Sequence, residues 1–243
     1  IFTRPNGFSK GDILVQKNLA STLERIKRNG KEEFYSGVTA NKIANFFQIN
    51  GGILSLIDLN EYEIRILKPV CGNYRNYEIC SMAPPSSGGI ALVQMLNILE
   101  NVDLRKLGHN SKEYLKILIS AMDYAYSDRA KFLGDPEFFN VPQDLLISKK
   151  YADEIYYQIQ KKKLPPKVNV KITEGEETTH FSIVDKWGNA VSNTYTLNTA
   201  YGSGIIPTGT GILMNNEMDD FSSKPGHPNA YGLIGSKANK MNQ

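Results

Sequence analysis

The sequence has no apolar run of about 18 residues, the length that a membrane-spanning helix needs. It also lacks a Walker A loop, a G-x-G-x-x-G turn and an H-E-x-x-H helix, the common signals for bound nucleotides and catalytic zinc. Its densest basic run, Lys161-Lys162-Lys163, ends a predicted helix, where solvated lysines are ordinary. We therefore expect no membrane span, no nucleic-acid partner, no cofactor and no metal ion.

Cysteine and histidine are also scarce. The chain has two cysteines and three histidines among 243 residues. Cys71 and Cys80 show neither metal-ligand spacing nor a C-x-x-C pattern, so we expect free thiols, with a disulfide between adjacent strands as the alternative. We interpret His109, His180 and His227 as structural or solvated side chains. A reaction at this chain would therefore use a proton acceptor other than histidine.

The pattern of the sequence changes at Thr178. The part before it is mainly helical by apolar periodicity, and the part after it has strands and glycine-rich loops. A polar linker is expected at about residues 164–177, so we divide the chain into residues 1–177 and 178–243. Because Ile1 is not a natural start residue and no signal peptide is present there, we expect a piece of a longer protein.

Several elements are predicted in the first part. Apolar spacing predicts helices over residues 14–26, 43–47, 90–99, 111–132 and 148–162. Asp58 is the predicted cap of a further short helix. Alternation of apolar and charged residues predicts strands over residues 63–70 and 77–82, with a turn at residues 72–76 between the two cysteines.

The pattern of residues 178–198 predicts a β-hairpin. An acidic leader, Glu174-Gly175-Glu176-Glu177, comes directly before its first threonine. A threonine behind a cleavable leader is typical of N-terminal nucleophile enzymes, in which the α-amine of the nucleophile is the base. This amine has an ordinary pKa of about 7.7–8.0, so a sizeable fraction is neutral near physiological pH. We therefore expect cleavage between Glu177 and Thr178 to release a nucleophile with its own proton acceptor.

The register of the hairpin adds a second threonine. With residues 185–189 as the turn, Val184 faces Ala190. On the same register, Thr178 faces Thr196. Opposed residues have Cβ atoms roughly 4.5–5.5 Å apart, so the Thr196 hydroxyl can hold the Thr178 oxygen. A bulge would shift the pairing by one residue, and a plain strand pair of two threonines is the alternative interpretation.

Carboxylates and amides cluster beyond the hairpin, in residues 215–221. Together with this cluster, Asn198 would form a site for an ammonium group, in which Glu217 and Asp220 supply the negative charge. Ordinary surface acids in a loop are the alternative interpretation. If the site exists, it favours a substrate that carries an amine.

These residues resemble one family along nearly the whole chain. The stretches that are similar to the small subunit of γ-glutamyltranspeptidase are Thr178–Ser182, Asp185-Lys186, Gly188–Val191, Thr194–Asn198, Gly211–Leu213, Asn215-Asn216, Met218–Phe221 and Lys224–Gly226. The stretches that resemble its large subunit are Pro84–Gly89, Tyr126–Arg129 and Leu133–Pro136.

The resemblance implies an α+β fold, part of the four-layer αββα sandwich of N-terminal nucleophile hydrolases. It implies hydrolysis or transfer of γ-glutamyl groups from glutathione and related amides, with an amino acid or peptide as acceptor. Thr178 matches the family nucleophile, and Thr196 matches the threonine that orients it. The residues that match its substrate-binding side chains are Asn198, Glu217, Asp220 and Tyr231, the last within a lid of about residues 225–236.

The resemblance also implies which parts of the family's site this chain does not carry. The serine pair for the substrate α-carboxylate and the oxyanion-hole glycines would lie beyond Gln243, and the carboxylate-binding arginine upstream of Ile1. Arg4, Arg25 and Arg75 match no motif, and we assign them no role. Loss of one oxyanion-hole donor can lower a rate by about 10²–10³, so we expect negligible activity from this chain alone.

Membership of this family would imply a heterodimer of large and small subunits after cleavage, located in the periplasm or outside the cell. A cephalosporin or glutaryl acylase of the same fold is one alternative, and an inactive binding homologue is another. The pairing of Asn198 with Asp220 favours an ammonium-bearing substrate. Bacterial members often carry glutamine where this chain has Glu217, and the extra carboxylate should strengthen ammonium binding.

Overall fold

A computed structural model of the protein describes residues 7–165 and 178–221, together with Lys224, His227 and Asn229. Within these residues the chain mixes helices and strands. The elements are α1 (Lys17–Asn29), α2 (Lys31–Tyr35), α3 (Val38–Ile49), α4 (Leu56–Asn60), β1 (Val70–Tyr74), β2 (Tyr77–Ser81), α5 (Gly88–Glu100), α6 (Leu104–Leu107), α7 (Lys112–Phe132), α8 (Gln143–Leu146), α9 (Lys149–Gln160), β3 (Thr179–Val184), β4 (Ala190–Tyr195) and a 3₁₀ helix (Glu217–Asp220). None of the described helices is long and apolar enough to cross a bilayer.

The described residues divide into two compact units. Residues 7–64 and 178–221 form the first unit, and residues 65–165 form the second. The boundary predicted at Thr178 is a point of chain cleavage, and it stays a prediction. Glu177 and most of the predicted linker lie outside the described residues.

In the first unit, one hydrophobic core is shared by residues from both sides of the predicted cleavage point. Ala40 and Ile43 on α3 are fully buried. Ile212 and Met214 pack against this cluster from the later part of the chain. Because apolar burial is favourable wherever the partners lie in the sequence, this core favours contact between the two segments whether or not the peptide between them is intact.

The second unit is built around α5. Ile90 and Val93 pack with Val70 and Leu146, and Ile98 further along α5 packs with residues of α7 and α9. A helix that is apolar on most sides is stable only when it is buried, and α5 contacts other elements on several sides. The helix predicted over residues 90–99 is confirmed, with slightly wider bounds.

Polar residues determine where helices begin. The side chains of Ser111 and Ser148 accept hydrogen bonds from backbone N–H groups in the first turns of α7 and α9, and both predicted helices are confirmed. The predicted role of Asp58 is wrong. Ser55 is the cap of α4, and Asp58 completes a capping box by accepting a hydrogen bond from the Ser55 backbone.

The strand predicted over residues 63–70 is also wrong. The alternating Ile64 and Ile66 are 75% and 91% exposed, and no described strand pairs with them. The observed strand β1 begins at Val70 and pairs with β2, which confirms the strand predicted over residues 77–82. Alternation does not produce a strand where the partner strand is missing.

Cys71 lies opposite Cys80 across this hairpin, and the two form a disulfide bond. The expectation of free thiols is therefore wrong, and the alternative is correct. The turn has two residues rather than the expected five: Arg75 and Asn76 have positive φ values of 46° and 71°, as the tightest hairpin turns require. The turn length sets the register, and the register brings the two cysteines together.

Truncation of Ile98 tests the role of α5. Ile98 is fully buried, so Ile98→Ala leaves a cavity, and we expect the free energy of unfolding to fall by about 2–5 kcal/mol. Urea denaturation of the full-length protein, followed by circular dichroism, measures the change. Ile119→Ala removes the same atoms from a side chain on α7 that is 54% exposed. A loss from this control as large as that from Ile98→Ala would contradict the assigned core.

Candidate active site

Strands β3 and β4 form an antiparallel hairpin in which Val184 lies opposite Ala190. This is the register predicted from the sequence. Continued to the open end of the hairpin, it places Thr178 beside Thr196, and their hydroxyl oxygens lie 3.4 Å apart. The predicted pairing of the two threonines is confirmed.

The turn of this hairpin is held by one carboxylate. Asp185 accepts hydrogen bonds from the backbone N–H groups of Trp187 and Asn189 at 2.9 Å and from the Asn189 side chain at 2.8 Å. Several hydrogen-bond donors lower the pKa of Asp185, and the Asn189 side chain has the largest effect. Gly188 has a φ of 86°, which glycine adopts without steric cost. Because a slip of one residue would turn every side chain to the other face, this turn also positions Thr178.

The two faces of the hairpin differ in polarity. Thr178, His180 and Ser182 lie on one face of the hairpin, opposite the hydroxyl-bearing residues Thr196, Thr194 and Ser192, since side chains alternate along a strand. Phe181 and Ile183 lie on the opposite face. Both strands are exposed to solvent in the described part of the chain.

His180 makes its contacts within this polar face. Its Nδ1 lies 2.6 Å from the Thr194 hydroxyl, and its Nε2 lies 3.3 Å from the Ser182 hydroxyl and 3.2 Å from that of Ser192. Both ring nitrogens thus have hydroxyl partners. These contacts agree with the interpretation of His180 as a structural side chain.

Thr196 is oriented by the backbone that follows it. The backbone N–H of Asn198 donates a hydrogen bond of 2.9 Å to the Thr196 hydroxyl oxygen. The same oxygen is the acceptor for the Thr178 hydroxyl, and its two lone pairs allow it to accept from both donors. The local geometry therefore suits Thr196 to hold the Thr178 hydroxyl in one rotamer.

Asn198 links the threonine pair to the acidic segment beyond it. Its side chain is 6% exposed, and its Nδ2 donates to the backbone oxygen of Asn216 at 3.1 Å and to Asp220 Oδ1 at 3.0 Å. Its φ is 81°, a left-handed conformation that asparagine tolerates better than most residues. One residue therefore touches Thr196 through its backbone and Asp220 through its side chain.

Glu217 and Asp220 begin and end the 3₁₀ helix, so one tight turn brings their carboxylates near each other. Partial loss of solvent around Glu217 raises its pKa, and the negative charge of Asp220 raises it further. Two like charges held together favour a cation between them. The structure thus brings together the three residues predicted to bind an ammonium group, Asn198, Glu217 and Asp220.

Asn216 is a residue of this site to which sequence analysis assigned no separate role. Its Oδ1 accepts hydrogen bonds from the backbone N–H and the hydroxyl of Thr199, each at 3.1 Å, and its Nδ2 donates to Asp219 at 2.8 Å. These contacts join the end of β4 to the acidic turn. The only signal in the sequence was an amide residue directly before the acidic run.

The predicted lid residue Tyr231 lies outside the described residues, as does most of the range 225–236. Within that range, the Asn229 side chain donates a hydrogen bond of 2.8 Å to the backbone oxygen of Asp220.

Among the described residues, one group of side chains has the spacing of metal ligands: the ligand atoms of Cys71, Glu78 and Cys80 lie within 4.8 Å of one another. The disulfide between these two cysteines removes them as thiolate ligands.

The chain is similar to known proteins in sequence and in structure. The family model for Gamma-glutamyltranspeptidase matches residues 1–243. The chain is 51% identical over 237 residues to the glutathione hydrolase proenzyme of Escherichia coli (strain K12), which covers 96% of this chain and 41% of that protein. The chain thus spans well under half the length of the curated relatives it matches.

Two solved structures are similar in fold. The γ-glutamyltranspeptidase of Helicobacter pylori superposes with a TM-score of 0.65 and 41% identity, covering 72% of this chain and 52% of that one. The cephalosporin acylase of Bacillus halodurans superposes with a TM-score of 0.73 and 27% identity, covering 94% of this chain and 40% of that one. Since the family model matches along the whole length and close relatives share half of the residues, the chain belongs to the γ-glutamyltranspeptidase family.

Proposed function

We propose that the protein containing this chain hydrolyses and transfers γ-glutamyl groups of glutathione and related amides. One observation carries the proposal: Asn198 joins a close pair of hydroxyls, Thr178 and Thr196, to the acidic turn that ends at Asp220. A nucleophile beside a cation site suits a substrate whose reactive carbonyl and ammonium group belong to one small molecule. The name glutathione hydrolase, which relatives carry, supports this substrate class.

Activation proceeds by self-cleavage before Thr178. The Thr178 oxygen attacks the carbonyl carbon of Glu177, the carbon–nitrogen bond breaks, and the hydroxyl proton passes to the Thr178 nitrogen. An ester replaces the peptide bond. Water then hydrolyses the ester, which leaves a carboxylate on Glu177 and a free hydroxyl and a free amine on Thr178. The word proenzyme in the names of relatives supports this step.

Turnover uses the amine that cleavage releases. The neutral amine accepts the Thr178 hydroxyl proton directly or through one water, and Thr196 holds the oxygen in place. The oxygen forms an ester with the γ-glutamyl carbonyl carbon, and the proton passes to the departing amine of the substrate. Water or the amine of an acceptor amino acid or peptide then resolves the ester. The products are glutamate or a new γ-glutamyl compound, and Thr178 regains its hydroxyl proton.

Recognition of the substrate depends on Asn198 and the acidic turn, Glu217–Asp220. Asn198, Glu217 and Asp220 hold the α-ammonium group of the γ-glutamyl moiety. A bound ammonium offsets the repulsion between the two carboxylates, the same repulsion that contributes to the raised pKa of Glu217. Tyr231, in the lid at about residues 225–236, covers the bound glutamyl group.

The complete protein forms the four-layer αββα sandwich and, after cleavage, a heterodimer of large and small subunits. The exposed faces of the β3–β4 hairpin support further layers, and the core shared by α3 and Met214 supports a stable pair of chains. The enzyme works in the periplasm or outside the cell. The Cys71–Cys80 disulfide supports this location, because disulfides persist mainly in oxidising compartments.

The likeness to a cephalosporin acylase favours a second candidate, an amidohydrolase that acts on glutaryl or cephalosporin amides. A glutaryl amide has no ammonium group for Asn198 and Asp220 to bind. Parallel assays with γ-glutamyl-p-nitroanilide and glutaryl-7-aminocephalosporanic acid separate the two activities. Turnover of neither compound, together with an uncleaved chain, would favour the inactive binding homologue.

Replacement of Thr178 tests the proposed cleavage. In the full-length protein, Thr178→Ala lacks the attacking oxygen, so we expect no scission before residue 178, whereas the wild type splits into two chains. Intact mass spectrometry after incubation measures both. Thr179→Ala, a matched change at the next residue on the opposite face of the hairpin, should still split. Two fragments from Thr178→Ala would show that another group cuts the chain.

Replacement of Thr196 tests the orientation of the nucleophile. Thr196→Ala removes the hydroxyl that holds the Thr178 oxygen, and we expect kcat to fall by about 10- to 100-fold, since a buried or catalytic hydrogen bond is worth about 1–3 kcal/mol. Thr196→Ser retains the hydroxyl and should keep most of the activity. The assay uses protein that has already been cleaved. Equal rates for the alanine and serine variants would exclude this role.

The raised pKa of Glu217 predicts a pH dependence of substrate binding. The carboxylate attracts the ammonium group only when it is deprotonated, so KM should rise as the pH falls through this pKa, beginning at a higher pH than for an ordinary glutamate. In Glu217→Gln this component should be absent, so KM is higher at neutral pH and changes less on acidification. Glu24→Gln, a control that neutralises an exposed carboxylate on α1, should retain the wild-type profile. Identical profiles for Glu217→Gln and the wild type would contradict the assignment.

A further inference from the structure

The loop of residues 205–214, here called the anchor loop, follows the hairpin and lies against α1. Thr22 on α1 donates a hydrogen bond of 2.8 Å to the backbone oxygen of Thr210, and both threonines are fully buried. The two residues are 188 positions apart in the sequence. They lie on opposite sides of the proposed cleavage point, so in the cleaved protein this bond joins two separate chains.

The backbone of the anchor loop also touches the backbone of α1. Gly211 has a φ of 70°, and a Cβ atom at this position would lie 2.4 Å from the backbone nitrogen of Leu19. No side chain fits there, because atoms cannot approach so closely. Inside the loop, the Thr210 hydroxyl donates to the Pro207 oxygen at 2.7 Å and accepts from the Ile212 N–H at 3.1 Å. The loop therefore presents the Thr210 carbonyl in a fixed direction.

A partly buried ion pair between Arg25 and Glu33 contacts the Thr22 hydroxyl. Arg25 Nε lies 2.8 Å from Glu33, whose side chain is 3% exposed, and another Arg25 nitrogen donates to the Thr22 hydroxyl at 2.9 Å. Thr39 donates to Glu33 through its hydroxyl at 2.8 Å and its backbone N–H at 3.1 Å. The hydrogen bond from Arg25 is the largest reason that the pKa of Glu33 falls to about 2. The Thr22 hydroxyl thus accepts from a guanidinium while it donates to Thr210, and such chains of hydrogen bonds strengthen one another.

The anchor loop leads directly into the acidic turn, Glu217–Asp220. Met214 at its end packs against the α3 core, and its backbone N–H donates to Ile205 at 2.9 Å. Two residues later, Asn216 accepts the hydrogen bond from the Asn198 side chain. A force that holds the anchor loop on α1 therefore also holds the part of the chain that supplies the ammonium site.

We propose that Thr22, Arg25 and Glu33 form the anchoring surface by which the chain that ends before Thr178 retains the chain that begins with it. The occupant of this surface is the anchor loop, fixed by the Thr210 carbonyl and the close approach of Gly211 to Leu19. The inference rests on the proposed function in one respect, because it supposes that the mature protein consists of two chains. The new element is the surface at which the two chains are held together.

The test measures how firmly the two chains stay together. Full-length cleaved protein with Thr22→Val, which keeps the shape of the side chain and removes its hydroxyl, is titrated with urea, and native mass spectrometry records the separation of the chains. We expect the dissociation constant at a fixed urea concentration to rise about tenfold or more, the effect of a buried carbonyl left without its donor. Thr22→Ser keeps the donor and should restore wild-type retention.

Two glycine variants give a matched comparison. Gly211→Ala and Gly209→Ala introduce the same methyl group at similar positive φ values, 70° and 74°. At Gly211 it meets the Leu19 backbone, whereas at Gly209 it meets only the flexible end of Lys42, 3.4 Å away. Gly211→Ala should therefore weaken retention far more than Gly209→Ala. Arg28→Met, which breaks an exposed ion pair on the same helix, should have no effect.

Equal effects of the two glycine variants, or wild-type retention in Thr22→Val, would overturn the proposal. The same variants are also compared in full-length protein expressed as two chains divided before Thr178. This arrangement measures retention without self-cleavage. A wild type that does not cleave itself would thus count against the proposed function alone, and the separate chains would still decide the anchoring surface.

Discussion

The site depends on the register of one short hairpin. Asp185 fixes the turn between β3 and β4 by accepting three hydrogen bonds, and the turn length determines which residues lie opposite each other. With this register the hydroxyls of Thr178 and Thr196 lie 3.4 Å apart. A slip by one residue would move Thr196 to the opposite face, away from the Thr178 hydroxyl. The Asp185 carboxylate at the turn thus determines, through the register, which hydroxyls meet at the open end of the hairpin.

A second constraint follows from the proposed cleavage before Thr178, which must leave the residues of the site together. Residues from before and after Thr178 share the core around Ile43, and the anchor loop adds a buried hydrogen bond and a backbone contact to α1. Both interactions form between segments that are far apart in sequence and neither involves the cleaved peptide bond. Scission can then release the amine of Thr178 while the ammonium site keeps its position.

Much of this organisation was predictable from the sequence. The hairpin register followed from an assumed five-residue turn because antiparallel pairing is simple arithmetic once the turn is known. The helices α5, α7 and α9 were predictable from apolar spacing and, for the last two, from a serine at the start. Asn198, Glu217 and Asp220 were predicted as one site, and the structure brings them together.

Two of the errors, those at residues 63–70 and at the cysteine pair, arose because the local sequence does not show which residues lie opposite each other in the folded chain. The alternation at Ile64 and Ile66 had no neighbouring strand to pair with among the residues that the structure describes. The expectation for Cys71 and Cys80 failed because the turn is two residues long, not five. Arg25 matched no motif, and its importance follows from contacts with Glu33 and Thr22 that only the folded chain brings together.

The most direct test of the account is to find where the γ-glutamyl group is bound during turnover. Cleaved full-length enzyme is mixed with glutathione, quenched in acid within the first turnover, digested and analysed by peptide mass spectrometry. We expect the mass of one γ-glutamyl group on the peptide that begins with Thr178, attached as an ester to its hydroxyl. A γ-glutamyl group on any other side chain, or glutamate release with no enzyme-bound ester at all, would contradict it.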